Sequence, residues 1–570
     1  MNHTLKKLKN LILTHSLDGY IIPKNDEFFS EYASPDRLKK VTNFSGSAGL
    51  AIILIHKNLL FVDGRYTIQA KKQSGKNFSI FQIPNSNPRE VLKKFNKKLN
   101  LGFDPKLFTN LSLLRYFGND SNLIPIHTNL IDQINPIKKK KLKDNYFYAL
   151  PKEIVGENTN SKIKRLIKEL KKKNIDNIFI SAPENVAWLL NLRGNDNPYS
   201  PIPNSNLIIS KNNDLFLFSK KRKVNKIKYL DIYKNLKFYE FKDFFKIIKN
   251  LPGKSFCVDH LTCSVFHQSL ISSKFNFKSF IDPCYIMKSI KNSTEIKNTI
   301  KAHEHDGAAL TKFLYWIKNN NKKIITELYA EKKLEKFRKK NKSYISPSFN
   351  TIAGAGPNSA IIHYKANKKT NRKIFKNDIF LCDSGGQYKY GTTDVTRTLC
   401  FNKPSKKIKD RFTRVLKGHI AVINTNLNKV NTGKKIDIKA RKYLKKINLD
   451  YSHGTGHGVG YYLNVHEGPQ SISKFNNILL KPGMILSNEP GYYEENKFGI
   501  RIENLIYVKK IKKNIFFENL TYAPIDVDLI DFKLLDKKEK KYLSNYHLNT
   551  YNKLAKYLNL KERKWLLNLI

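Results

Sequence analysis

The stretch LCDSGGQYKYGTTDVTRT, Leu381 to Thr398, sets two aspartates, Asp383 and Asp394, eleven residues apart in a lysine-laden chain. Ile379-Phe380-Leu381-Cys382 before the first and Val395-Thr396 after the second are apolar or β-prone runs. Between them Gly385, Gly386, Gly391 and two tyrosines signal a bend. The spacing predicts a hairpin whose two strands carry Asp383 and Asp394 towards each other. Two carboxylates held close repel one another unless something positive sits between them.

Working outward, further polar groups stand in apolar or glycine-rich settings. SHGTGHGVG holds His453 and His457, VHEGP holds His466, ILSNEPGYY holds Glu489 and FGIRIENLIYV holds Glu503. Glu503 lies in a β-prone run, where a buried carboxylate without a partner is costly. Asp383, Asp394, His457, Glu489 and Glu503 together are four carboxylates and one imidazole, a formal −4 that two divalent ions cancel. Oxygen-rich ligation with one nitrogen favours Mn(II) over Zn(II), and Co(II) also suits it. Two such ions clamp a reacting carbonyl and turn water into a nucleophile.

Composition narrows the class. The 570 residues are 40% hydrophobic and 12% aromatic, which describes a globular chain of roughly two to four domains. No run of about 18 apolar residues is present, so no membrane span is expected. The apolar stretch before His15 is too short for a signal peptide. Cys257, Cys263, Cys284, Cys382 and Cys400 form no CxxC pair, which predicts reduced thiols and a cytoplasmic setting. The net charge of +57 is spread through all regions, alongside abundant Asn and Ile. It reads as compositional drift, and no nucleic-acid partner is expected, since no RRM-like or zinc-finger-like spacing accompanies it.

Two stretches echo each other. LDGYIIPKNDE, Leu17 to Glu27, and IDNIFISAPEN, Ile175 to Asn185, each follow a basic helical segment and lead some thirty residues later to another strand run. The repeat predicts two related α/β domains with a lysine-rich junction at PIKKKKLKDN, Pro136 to Asn145. After KSIKNSTEI, Ala308, Leu310, Phe313, Leu314 and Ile317 trace a helical face between Lys297 and Lys318. Glycine-rich strand runs then alternate with lysine-rich helical patterns to about Pro524, and the remaining residues read as a helical tail. The expected divisions are 1–145, 146–295, 296–524 and 525–570.

The motifs DSGGQYKYGTTDVTRT, HGTGHGVG, VHEGP, NEPGYY and RIEN resemble those of the pita-bread metallopeptidases, a family that includes methionine aminopeptidase, prolidase and aminopeptidase P. The similarity is greatest to the long, three-domain cytosolic Xaa-Pro aminopeptidases. It extends through YASPDRLKKVTNFSGSAGLAII, FVDGRY, ENVAWLLNLRGND, GPNSAIIHY, YHL and KWLL. NPYSPIPNSNLII and the short tail depart from the pattern. The resemblance implies two creatinase-like α/β domains, then a pita-bread catalytic domain and a helical tail. It implies two metal ions, with Asp383 on one, His457 and Glu489 on the other, and Asp394 and Glu503 bridging. A hydroxide bridging the ions would then cleave the bond before proline in peptides with proline at the second position. A homodimer is likewise implied.

The same resemblance assigns roles around the ligands. Glu489 would take the water's proton, and His363 would shuttle a proton or donate a hydrogen bond near the scissile bond. On the residues alone, His363 also reads as a packed core histidine. His466 would stabilise the tetrahedral intermediate and His453 would contact substrate. His453 either shares a helical face with His457 or lies with it in one glycine-rich loop. Tyr493 and Arg501 would orient Asp383. Arg65 in VDGRY would bind substrate or form a structural salt bridge. Trp188, His547 and Cys382 read as packing groups. A prolidase-like dipeptidase and a non-catalytic peptide- or RNA-binding relative are the competing readings; the second leading domain counts against the first, the intact ligand set against the second.

Overall fold

Leu5, Leu8 and Ile12 fall on one face of the helix His3–Thr14, and all three are buried. The helix feeds β1 (Gly19–Pro23), every residue of which is buried. β1 runs antiparallel to β2 (Leu50–Leu54) and parallel to β5 (Leu99–Phe103). With β3 (Asn58–Asp63), β4 (Ser79–Ile83) and β6 (Ser121–Pro125) they make a sheet ordered β4-β3-β2-β1-β5-β6. Strand alternation sends Tyr20, Ile22, Ala51 and Ile53 into one core and Ile21, Leu50, Ile52 and Leu54 into another. Continuous apolar runs are what a sheet buried on both faces requires.

The second sheet repeats this plan. Its strands are β8 (Asn177–Ile180), β10 (Asn206–Ser210), β11 (Leu215–Phe218), β12 (Leu236–Tyr239), β13 (Ser255–Val258) and β14 (Asn276–Ser279), ordered β12-β11-β10-β8-β13-β14. The short β7 (Tyr148–Ala149) and β9 (Leu192–Arg193) pair separately. β8 is antiparallel to β10 and parallel to β13, as β1 is to β2 and β5. The two echoing stretches therefore fall on equivalent strands, β1 and β8. Trp188 is 4% exposed with the Lys162 ammonium 4.5 Å from its ring, a packing role as expected.

The computed structural model describes residues 3–136, 145–320 and 324–570. Residues 137–144, which carry the lysine run of the expected junction, lie outside the described residues. The chain divides into two units, Met1–Leu150 with Glu157–Tyr285, and Pro151–Gly156 with Ile286–Ile570. Both six-stranded sheets belong to the first.

In the second unit the helix Ser293–Asn319 starts at a reciprocal cap between Asn292 and Glu295, and it buries Ala308, Leu310, Phe313, Leu314 and Ile317, the expected face. Its strands are β15 (Tyr344–Pro347), β16 (Ile352–Ala355), β17 (Ile379–Ser384), β18 (Gly386–Tyr388), β19 (Gly391–Thr392), β20 (Val395–Cys400), β21 (Gly456–Gly458), β22 (Glu467–Ile472), β23 (Ile485–Asn488), β24 (Gly491–Glu494), β25 (Phe498–Arg501), β26 (Asn504–Ile511) and β27 (Asn514–Asn519). They form the sheets β16-β17-β20, β15-β18-β19, β22-β21-β23-β26-β27 and β24-β25. The helices Glu327–Arg338, Lys406–Ile423 and Gly433–Lys445 accompany these sheets, and Lys537–Leu554 and Leu560–Leu567 end the chain.

The expected single hairpin around Asp383 and Asp394 is two nested ones. β17 pairs antiparallel with β20, Asp383 opposite Thr396, while β18 and β19 pair with each other in a different sheet. Asp394 thus stands two residues before the partner of Asp383, diagonal to it on the same face.

Candidate metal centre

Each candidate side chain comes from a strand or a strand end. Asp383 is in β17, Asp394 directly precedes β20 and His457 is the middle residue of β21. Glu489 follows β23, and Glu503 occupies the break between β25 and β26 rather than a strand interior. Asp383, Asp394 and Glu503 are buried, at 7%, 3% and 2% exposure. β21 lies tight on β23 because Gly456 has no side chain; an added Cβ would overlap the Ser487 carbonyl. Ser487 Oγ accepts from the His457 backbone amide at 2.9 Å and donates to Glu489 Oε1 at 3.0 Å, which ties the main chain at His457 to the Glu489 carboxylate.

The five groups converge. His457 Nε2 is 3.5 Å from both Asp394 Oδ2 and Glu489 Oε1. Asp394, His457 and Glu503 each offer a ligand atom, all within 4.8 Å of one another. The Oδ1 atoms of Asp383 and Asp394 are buried and accept no hydrogen bond. Burial pushes the Asp394 carboxyl up to about 6, the His457 bond opposing this and the Asp383 charge adding to it. Glu503 is driven well above the usual carboxylate range by burial and then by the charges of Asp394, Glu489 and Asp383. Burial opposes charge on His457, but Asp394 and Glu489 raise it to about 9. Two acids pushed towards their neutral forms by burial and neighbouring charge, beside bare aspartate oxygens, suit divalent cations.

A second layer holds this set. Arg501 donates from Nη2 to Asp383 Oδ2 at 2.6 Å and from Nη1 to the Tyr493 hydroxyl at 2.6 Å. Tyr493 bonds His453 Nε2 at 2.9 Å, and His453 Nδ1 bonds the Gly454 carbonyl at 2.7 Å. Burial lifts the Tyr493 phenol to about 12. His453 lies in the loop before β21, which decides against the shared helical face. The ring of His466 stands 4.3 Å from that of His457. His363 follows Ile362, whose carbonyl accepts from Arg501 at 3.4 Å. Gly499 lets this segment approach β25: its amide donates to Ser359 Oγ at 2.7 Å, and a Cβ there would overlap the Ser359 carbonyl.

Arg65, in the first unit, forms a two-bond salt bridge to Asp63, Nε–Oδ1 3.0 Å and Nη2–Oδ2 2.7 Å. His547 packs, accepting from the Ile525 amide at 3.1 Å and bonding the Leu569 carbonyl at 2.8 Å. All five cysteines are buried and none is in a disulfide. Three supports went unread in the sequence. Thr396 Oγ1 donates to Glu503 Oε2 at 2.7 Å and accepts from Arg501 Nε at 3.2 Å. Its place two residues after Asp394, on the same strand face, was the available signal. Arg441 ties the carbonyls of Tyr451 and His453 to Asp437. Glu467, beside His466, is ion-paired with the buried Lys288 and Lys291.

Acids and one histidine, gathered on paired antiparallel strands and braced by arginine, sit within the fold of a pita-bread metallopeptidase. Residues 297–510 match metallopeptidase family M24, residues 4–134 and 138–295 each match a creatinase/prolidase N-terminal domain, and residues 514–569 match the C-terminal region of peptidase M24. The chain belongs to metallopeptidase family M24. A Paracoccidioides brasiliensis protein named "Probable Xaa-Pro aminopeptidase P" is 37% identical over 607 residues, covering 99% of this chain and 97% of that one. The crystal structure of X-prolyl aminopeptidase from Caenorhabditis elegans, described as a cytosolic enzyme with a di-nuclear active site, superposes with a TM-score of 0.93 at 30% identity. It covers 99% of this chain and 98% of its own. The prolidase of Pyrococcus horikoshii reaches a TM-score of 0.52 at 26% identity and covers 65% of this chain and 100% of its own. No helix among the described residues is long and apolar enough to cross a membrane.

Proposed function

We propose that the protein is a metal-dependent Xaa-Pro aminopeptidase, which hydrolyses the bond between an N-terminal residue and a following proline. The observation that carries this is the convergence of Asp394, His457 and Glu503 within 4.8 Å, beside aspartate oxygens that no protein group satisfies. Asp383, Asp394, His457, Glu489 and Glu503 would hold two divalent ions, and so oxygen-rich a set favours Mn(II). Divalent ions held by these residues would supply Lewis acidity for the scissile carbonyl and make the attacking water more acidic.

The chain's own groups do the rest. Glu489 Oε1, held by Ser487, is placed to take the proton of the attacking water. His466, stacked edge-on to His457, and His363 contact the carbonyl and the developing oxyanion. His453, fixed by Tyr493 and Gly454, contacts the substrate's leading residue. A proline at the second position makes the scissile amide tertiary with a fixed φ, so a dedicated site is needed. The likeness to the Caenorhabditis X-prolyl aminopeptidase over 99% of this chain supports the aminopeptidase reading. Five buried cysteines without a disulfide suit a cytoplasmic setting, and family resemblance supports a homodimer.

The test is release of the first residue from an Xaa-Pro-Pro tripeptide, with an Xaa-Ala-Pro control, in Mn(II) or in chelator. Release from the prolyl peptide alone, lost on chelation, is expected. No release with Mn(II), Co(II) or Zn(II) would sink the assignment.

A further inference from the structure

Arg397 is 1% exposed, and every hydrogen bond it makes runs to a neutral acceptor. Nε donates to the Pro524 carbonyl at 2.9 Å. Nη1 donates to the carbonyls of Thr396 and Glu503, both at 2.7 Å. Nη2 donates to Asn504 Oδ1, the Ala523 carbonyl and the Tyr546 hydroxyl, each at 2.8 Å. A guanidinium never sheds its charge, and a buried cation without a counter-ion is costly. Strand alternation locates the compensation. Along β20, Thr396 points to the metal face and touches the Glu503 carboxylate, while Arg397 points to the opposite face. Arg397 therefore backs the acidic cluster across the thickness of one strand, and it grips the main chain of Glu503 itself.

The far side of Arg397 is the C-terminal region. Tyr546 lies in the helix Lys537–Leu554; its hydroxyl accepts from Arg397 and donates to the Ala523 carbonyl at 2.8 Å. The adjacent His547 holds the Ile525 amide and the Leu569 carbonyl. The terminal helices thus clamp residues 523–525 against Arg397, and Arg397 in turn holds residues 503–504. We propose that the C-terminal region is a working part of the metal centre: Tyr546, acting through Arg397, is a positioning residue for the ligand Glu503. This rests on the two-ion reading of the site.

The experiment measures Mn(II) dissociation constants by competition with a fluorescent chelator, on the full-length protein. Tyr546→Phe removes one hydroxyl and keeps the ring. It should weaken Mn(II) binding about tenfold, the scale at which groups behind metal ligands act. Leu543→Ala, on the same helix and in the core, should lower the unfolding temperature and leave the Mn(II) constant unchanged. Coupling is reciprocal, so in the unaltered protein Mn(II) should also slow amide exchange in residues 540–550, a readout that needs no variant. Equal affinity in Tyr546→Phe, an equal shift in Leu543→Ala, or no gain in protection would overturn the tail's role alone. A wild-type protein that binds no divalent ion would bring down the metal reading and this proposal together.

Discussion

Arg501 and Asp383 share one 2.6 Å hydrogen bond, and it engages Oδ2 of the aspartate while leaving Oδ1 bare. The arginine thereby fixes the carboxylate's plane and hands the remaining oxygen to the site. Burial works against the guanidinium's charge, but Tyr493, Asp383, Glu489 and Glu503 hold it protonated well above its ordinary value. Arg501→Leu should leave Asp383 free to rotate and lower kcat/KM by about 10²-fold. Arg501→Lys should recover little of it, since an ammonium cannot span Asp383 and Tyr493 together. Steady-state kinetics at saturating Mn(II) measures both, and near-wild-type kcat/KM in Arg501→Leu would refute the role.

Asp394→Asn is the sharper test of the two-ion reading. The substitution keeps the shape and removes one negative charge from a carboxylate 3.5 Å from His457 Nε2. Peptidase activity should fall to background, and bound Mn(II) should drop from two ions per chain. Surviving activity would mean that the centre does not work with two ions.

That these acids and His457 come together was legible only in part from their residue types. A buried glutamate in a β-prone run is costly without a partner, whereas aspartates at a glycine-rich bend are commonplace and say little by themselves. The paired α/β domains were legible because basic helix, apolar strand and polar turn recur, and β1 and β8 occupy the same place in sheets of identical order. The nested hairpin was not legible, since the glycines at 385, 386 and 391 mark bends without saying which strands pair across them. Nor were Arg397, Arg441 and the Lys288–Lys291–Glu467 group. Long-range partners decide their roles, and in a chain with 104 Lys and Arg a basic residue looks the same buried or exposed.

That last group makes a stability prediction. Lys291, Lys288 and the Glu467 carboxylate are each 1–2% exposed. Lys291 hydrogen-bonds Glu467 Oε1, and Lys288 forms an ion pair with Oε2 at 3.3 Å. Lys291→Met should strand a buried carboxylate and cost about 3 kcal/mol. The unfolding transition of the catalytic unit should move to a lower temperature by several degrees. Because Glu467 follows His466 directly, KM should rise as well. An unchanged transition would show that Lys288 alone satisfies the carboxylate.

The protonation of Asp394, His457 and Glu503 predicts an inverted pH response in chelator. Asp394 is raised from 3.8 to about 6 in the folded chain, and His457 from 6.5 to about 9. For both groups the folded state binds the proton more tightly than the unfolded chain does. Their contribution to stability is therefore fully present below about pH 4 for Asp394 and below about 6.5 for His457, and it is lost as pH rises through the folded values. Glu503, raised further still, acts in the same direction. The metal-free protein should thus lose unfolding temperature steadily from pH 5 to pH 9, a span in which paired surface carboxylates and lysines change little. Divalent ions replace these protons as the partners of the carboxylates. Mn(II) should accordingly raise the transition most at pH 8–9, flatten the pH dependence and release protons on binding. Differential scanning fluorimetry with and without chelator, and calorimetric titration of Mn(II) in two buffers of different ionisation enthalpy, measure the two effects. A metal-free protein that grows more stable towards pH 9 would contradict the mutual repulsion of these acids.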